Sequence, residues 1–156
     1  MATRSIPQTC AELKSTTSHS VLITVTPDTH LDKCLMAMVE NDVRHLIVVE
    51  SEQSKKIVGL ISERDIRLAI GSPLIHKDMD IKQEIDEFAK QLASTIMTRS
   101  VISVRENDTV LEAAKMMRVS RIGALPIVDN NDNVVGIITR TDMLDQLIRV
   151  LDQEQQ

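Results

Sequence analysis

Aromatic side chains are almost missing from this sequence, which has one Phe and neither Tyr nor Trp. Any sizeable core must therefore be aliphatic, with the eight Met residues filling irregular gaps. A planar ligand would have to lie between aliphatic side chains, for want of rings to stack on. Basic residues are short as well: 18 Lys and Arg stand against 23 Asp and Glu, a formal net charge of −5. That balance excludes a broad basic face for duplex nucleic acid, because neutralising phosphates takes clustered cations. A few local cations can still hold a small anion. The two cysteines, Cys10 and Cys34, have neither a CxxC relation nor metal-ligand spacing, and read as reduced thiols of a cytoplasmic protein. No apolar run approaches membrane-spanning length, so no membrane partner is expected. The opening "MATRSIPQTCAELKSTTSHS" is Ser/Thr-rich and acid-poor, a trait of transit peptides, but its "CAEL" reads better as a short helix.

What is present is a repeat. The chain has 156 residues, of which 42% are hydrophobic, enough for one domain or for two small units sharing a core. Displaced by 79 residues, "VENDVRHLIVVE" falls on "RVSRIGALPIVD", "LITV" on "VISV", and "LDKCLMAMV" on "VLEAAKMMR". "IVGLISERDIR" then falls on "VVGIITRTDML" at an offset of 77, the first copy having the longer hairpin loop.

Each copy reads as β-α-β-β-α. The first strand is Leu22–Val25 or Val101–Val104. The helix that follows carries Leu31, Leu35 and Met38, or Val110, Ala114 and Met117, at i, i+4 and i+7. Thr109 and Glu112 form a capping box, and Met36, Met38, Met116 and Met117 are expected in the helix cores. A hairpin comes next, its Asn/Asp cluster suited to unusual φ. The last helix follows Asp65 or Asp142. The strands "LIVV" and "VVGIIT" are apolar at nearly every position, the pattern of strands covered on both faces. Between the copies "GSP" ends a helix. Ile81, Ile85, Phe88 and Leu92 then mark a connecting helix over Asp80–Ala93. The chain divides into an N-terminal segment (1–17), repeat 1 (18–75), the connecting helix (76–93), repeat 2 (94–150) and a tail (151–156).

Two pairs stand out at the strand ends: Ser62 with Asp65, and Thr139 with Asp142. A Ser/Thr-x-x-Asp carboxylate can accept both hydroxyls of a ribose, or the same residues can simply cap a helix. On its own, Arg44 reads as a solvated partner of Glu40 or Asp42, and His45 as an ordinary strand-end histidine. "GALP" brings backbone close to a ligand or to a neighbouring strand. The histidines at 19, 30, 45 and 76 lack metal spacing, and there is no P-loop, Rossmann fingerprint or nucleophile elbow. No metal and no enzyme activity are expected.

The residues "SVISVREND", "VSRIGALPIVD" and "VVGIITRTDML", with "VLITVTPDT", "NDVRHLIVVE" and "IVGLISERDI" in the first copy, resemble the CBS domain in its tandem form. The likeness spans about residues 18–150. It implies an α/β (α+β) fold of two repeats packed through their sheets into a pseudo-twofold module. It further implies two clefts for adenosine-containing ligands: AMP, ADP or ATP, with S-adenosylmethionine or NAD as other options. On that resemblance Thr139 and Asp142 face Ile23, Val43, Arg44 and His45, with Ile137 alongside, and Arg44 and His45 stand where the family often has phosphate-binding cations. Ser62 and Asp65 face Ile102, Ile122, Gly123 and Ala124, with Leu60 alongside, Arg64 or Arg121 as the borrowed cation, and Met97 near the base. The first-copy counterpart of Met97 stays open, because "KSTTSHS" is longer than "TRS". The family's habits imply a homodimer and a regulated effector on another chain. The alternative is an interaction scaffold with unoccupied clefts.

Overall fold

The structure, a computed structural model, describes residues 6–17, 22–71 and 80–154. His19, His76 and the boundary expected at residue 75 lie outside them. The chain forms two compact units, and they do not coincide with the two repeats in chain order. One unit is Ile23–Val101; the other combines Met1–Leu22 with Ile102–Gln156.

In the first unit β1 (Thr24–Val25) pairs parallel with β2 (His45–Val49), which pairs antiparallel with β3 (Ile57–Ser62). Helix α2 (Leu31–Glu40) links the first two strands, and α3 (Glu63–Ile70), α4 (Ile81–Lys90) and α5 (Ala93–Ile96) follow the third. The core gathers Leu31, Cys34, Met38, Leu46, Val48, Ile61, Ile66 and Phe88. Each fully buried aliphatic side chain here contributes about 1.5–3 kcal/mol. In the second unit α1 (Cys10–Thr16) joins a sheet of β4 (Val104–Arg105), β5 (Ala124–Val128) and β6 (Val134–Thr139) in the same arrangement. Helices α6 (Val110–Ser120) and α7 (Arg140–Glu154) complete it. Here the core is Cys10, Leu13, Val104, Ala113, Met117, Leu125, Ile127 and Ile138.

The short helix read at "CAEL" is α1, closed by a capping box between Thr9 and Glu12. Its partner is the second copy: Cys10 and Ala11 N–H groups donate to the carbonyls of Asp108 and Glu106 at 2.9 and 3.0 Å. The Thr109–Glu112 box is present. Asp132 in the second hairpin takes φ 61°, as its Asn/Asp cluster allows. Arg121 caps α6 in the left-handed region at φ 55°, and Asp42, 79 positions earlier, takes φ 52° just past the C-cap of α2.

Several expectations shift. The first strands of the copies begin later than read, at Thr24 and Val104. Helices α3 and α7 start before Asp65 and Asp142, which are their third residues, because the carboxylates cap from inside the first turn. The buried line of α6 runs through Ala113, not Ala114, and α2 adds Cys34 to Leu31 and Met38 while Leu35 is half-buried. A ten-residue helix curves its 3.6-residue period away from a fixed i+4 row. Met36 is 49% exposed rather than core. β2 beyond His45 and all of β5 are buried on both faces, but β6 alternates, its odd-numbered residues half-buried. Helix α4 stops at Lys90, so Leu92 lies beyond it; Phe88 is buried while Ile81 and Ile85 face solvent.

Candidate ligand site at the strand-to-helix junctions

Each third strand ends on a hydroxyl residue that starts the next helix. Asp65 Oδ2 accepts from the Ser62 N–H at 2.7 Å and from its hydroxyl at 2.6 Å, and the Asp65 N–H returns to Ser62 Oγ at 3.3 Å. Thr139 and Asp142 repeat the pattern at 2.6, 2.9 and 3.4 Å. The capping reading is therefore correct, and it does not exhaust these carboxylates. Both boxes close on Oδ2, and Oδ1 of each Asp accepts no hydrogen bond from the described residues. An ionised carboxylate has about four acceptor sites, so a diol donor can be added without opening the box. Asp142 is 3% exposed and Asp65 half-buried.

The junctions are fastened to the start of the neighbouring strand. His45 pairs across from Ser62, and Ala124 across from Thr139. The Glu63 N–H donates to the Arg44 carbonyl at 2.8 Å, and the Arg140 N–H to the Gly123 carbonyl at 3.0 Å. Arg44, His45, Ser62 and Asp65 thus converge at one end of the first sheet, and Gly123, Ala124, Thr139 and Asp142 at the same end of the second.

The Arg44 guanidinium is 83% exposed and its acidic neighbour is Glu63 at 3.9 Å, not Glu40 or Asp42. Glu63 also holds Arg67 at 3.6 Å. Arg64 is exposed and makes no ion pair among the described residues. Ile23 and Val43 pack against the first core and Ile122 against the second. Ile102 is 40% exposed, while Leu60 and Ile137 are half-buried on their strands. Leu60 exchanges backbone hydrogen bonds with Thr98 at 3.0 and 2.9 Å. That brings Met97 over Gly59, so close that a Cβ there would stand 2.6 Å from the Met97 sulfur. Met97 is accordingly 8% exposed and part of the core. Over Gly136, the equivalent glycine, lies the aliphatic stem of Lys14, with Cδ 2.6 Å from the same ideal position.

Sequence reasoning missed Glu63, Arg67, Arg140 and Lys14. The offset of 77 already sets Glu63 on Arg140, so the charge reversal there was open to inspection; Lys14 had no such signal. Both thiols are pushed up to about 11, Cys10 by burial and then by Asp108 and Glu112, Cys34 by burial and then by Asp32. Protonated thiols are poor nucleophiles. Among the described residues no group of three or more His, Cys, Asp or Glu side chains is placed to hold a metal ion. No described helix is long and apolar enough to cross a membrane. Acceptor oxygens, hydroxyls and arginines over aliphatic strands make a set suited to holding a sugar and an anion.

A three-stranded unit thus occurs twice, each copy ending on a hydroxyl–carboxylate box. The CBS domain model matches residues 16–72 and 93–149. The chain belongs to the CBS domain family, as a tandem pair. It is 35% identical over 131 residues to a CBS domain-containing protein of Dictyostelium discoideum, covering 84% of this chain and 88% of that one. Other relatives are longer: the chain spans 42% of an uncharacterised Methanocaldococcus jannaschii protein to which it is 30% identical. Among solved structures it resembles CBSX2 in complex with AMP, with 26% identity and a TM-score of 0.63 over 83% of this chain and 89% of that one. It also resembles the CBS domain pair of protein MJ0100 in complex with 5′-methylthioadenosine and S-adenosyl-L-methionine. There the identity is 25% and the TM-score 0.65, over 91% of this chain and 96% of that one.

Proposed function

We propose that the chain is a regulatory module that senses an adenosine-containing nucleotide and signals to a partner protein. The observation that carries this reading is the doubled box, in which Oδ2 of each carboxylate closes the cap and Oδ1 accepts no hydrogen bond from the described residues. Support comes from two relatives of the same fold, one holding AMP and the other methylthioadenosine and S-adenosylmethionine. Following the family resemblance, we assign ligand contacts to Ile23, Val43, Arg44, His45, Leu60, Ser62, Arg64, Asp65 and Met97 in one unit, and to Ile102, Ile122, Gly123, Ala124, Ile137, Thr139 and Asp142 in the other. Arg44 reads the phosphate, since its solvated ion pair at 3.9 Å is weak enough to yield to a bidentate one.

A homodimer is part of the proposal. Leu144, Leu147, Ile148 and Leu151 form an exposed stripe along α7 at i, i+3, i+4 and i+7. Laid antiparallel on a second copy, the stripe brings Arg149 beside Asp145 and Arg140 beside Glu154, whereas parallel packing sets like charges together. The cytoplasm suits the two cysteines, which are free and buried.

The test is a thermal shift with AMP, ADP, ATP, NAD and S-adenosylmethionine. A ligand at a hundredfold its Kd adds about 2.7 kcal/mol of stability. Arg44→Ala is expected to weaken AMP and ATP strongly and adenosine hardly at all. Silence across the panel refutes nucleotide sensing in favour of an interaction scaffold; equal losses for adenosine and AMP make Arg44 a shaping residue.

A further inference from the structure

The two junctions are alike in backbone and differ in charge. In the first, the residue just before β2 is Arg44 and the residue whose N–H it receives is Glu63; in the second, the same two places hold Gly123, just before β5, and Arg140. Glu63 sits between two cations, Oε2 toward Arg44 Nε at 3.9 Å and Oε1 toward Arg67 Nε at 3.6 Å. Arg140 makes no ion pair among the described residues and is exposed. The first junction thus holds its anion-reading arginine beside a built-in competitor, and the second carries an arginine without one.

This arrangement does little for stability. All three side chains are solvated, and exposed pairs at such distances contribute next to nothing. Its effect falls instead on whatever negative charge comes to Arg44. A phosphate that reaches the guanidinium must displace Glu63 from it and then remain within one side chain's length of that carboxylate. Repulsion between them grows with ligand charge, and in a partly hydrated site it is screened but not abolished.

We infer that Glu63 is a specificity-determining residue that discriminates by ligand charge, holding down affinity for the more highly phosphorylated nucleotides at Arg44. The inference rests on the proposed nucleotide site and adds to it a named determinant of which nucleotide prevails. Neutral adenosine is indifferent to Glu63; AMP is disfavoured; ATP, with the most negative charge, is disfavoured most.

The experiment is calorimetric titration of the full chain and of Glu63→Gln with adenosine, AMP and ATP. Glu52→Gln in the β2–β3 hairpin serves as control for the change in net charge, since that turn lies at the other end of the strands from Arg44. Glu63→Gln is expected to tighten AMP about three- to tenfold and ATP more, with adenosine unchanged. Raising salt should narrow the difference between variant and wild type. Wild-type binding that Glu63→Gln leaves unaltered, or alters equally for adenosine and ATP, overturns the role of Glu63 and leaves the nucleotide site standing. No binding of any of the three by either protein overturns both. Because Gln keeps the length of Glu and one of its acceptor oxygens in the first turn of α3, only a slight fall in melting temperature, from the lost first-turn charge, is expected. If Glu63→Gln melts early, Arg67→Gln gives the second reading: it frees Glu63 to engage Arg44 more fully, and ATP should then bind more weakly than to wild type. Unchanged or tighter ATP in Arg67→Gln sinks the inference.

Discussion

Replacing Asp142 by Asn and by Ala separates its two roles. The carboxylate is 3% exposed, and its Oδ2 accepts the Thr139 N–H at 2.6 Å and the Thr139 hydroxyl at 2.9 Å. Hydrogen bonds to a charged group contribute about 1.5–3 kcal/mol, and a carboxylate in the first turn of a helix adds about 0.3–1 kcal/mol from the macrodipole. Asp142→Ala removes all of this and leaves a backbone N–H without its acceptor, so a loss of about 2–4 kcal/mol is expected. For a chain of this size that is roughly 5–15 °C in Tm. Asp142→Asn keeps an amide oxygen for the Thr139 N–H and should cost only about 1 kcal/mol. It gives up the second acceptor oxygen, and with it about tenfold or more in AMP affinity. Asp65, half-buried, should show the same order of effects at smaller amplitude. Far-UV circular dichroism follows the melt, since one Phe leaves no useful intrinsic fluorescence, and calorimetry follows AMP. An Asn variant that binds AMP as wild type does would make Asp142 a cap and nothing more. An Ala variant that melts with wild type would refute the energetic account of the box itself.

The two glycines offer a matched pair. Gly59→Ala drives a methyl into Met97, a buried core residue, and should destabilise by about 1–3 kcal/mol in a urea melt. Gly136→Ala meets the end of a flexible Lys14 stem that can swing away, and should fall within about 1 kcal/mol of wild type in either direction. Equal losses would mean that the Lys14 stem is held as firmly as the core. Because both thiols are held at about 11 in the fold, the native chain keeps its protons while the unfolded chain gives them up. Stability is therefore expected to be full below about pH 8.5–9 and to fall as pH rises toward 11. A Cys10→Ala/Cys34→Ala chain should lose that slope; an unchanged slope would place its cause elsewhere. Leu147→Glu, in the middle of the exposed α7 stripe, should turn a dimer into a monomer by light scattering. A wild-type chain already monomeric at micromolar concentration would refute the proposed homodimer.

The sequence by itself determined what depends on neighbours in the chain. Short, nearly continuous apolar runs and a hydrophobic period of 3.6 placed the strands and helices, and the repetition of both made the duplication visible. The Thr109–Glu112 box and the turn at Asp132 were legible for the same reason, being set by residues within four positions of each other. The Ser/Thr-x-x-Asp spacing disclosed both carboxylates but could not say whether they cap or bind, because the backbone N–H and the ribose hydroxyl ask for the same acceptor. Only the tertiary structure divided the oxygens, with Oδ2 given to the box and Oδ1 left over. It also decided everything that joins distant positions. Cys10 and Leu13 belong to the second core, across about ninety residues, because α1 finds its hydrogen-bond and apolar partners there. Arg44 meets Glu63 rather than Glu40 or Asp42, because strand pairing of His45 with Ser62 carries the start of α3 to the start of β2. A one-dimensional pattern records which residues share a face, and says nothing of what the chain's return brings against that face.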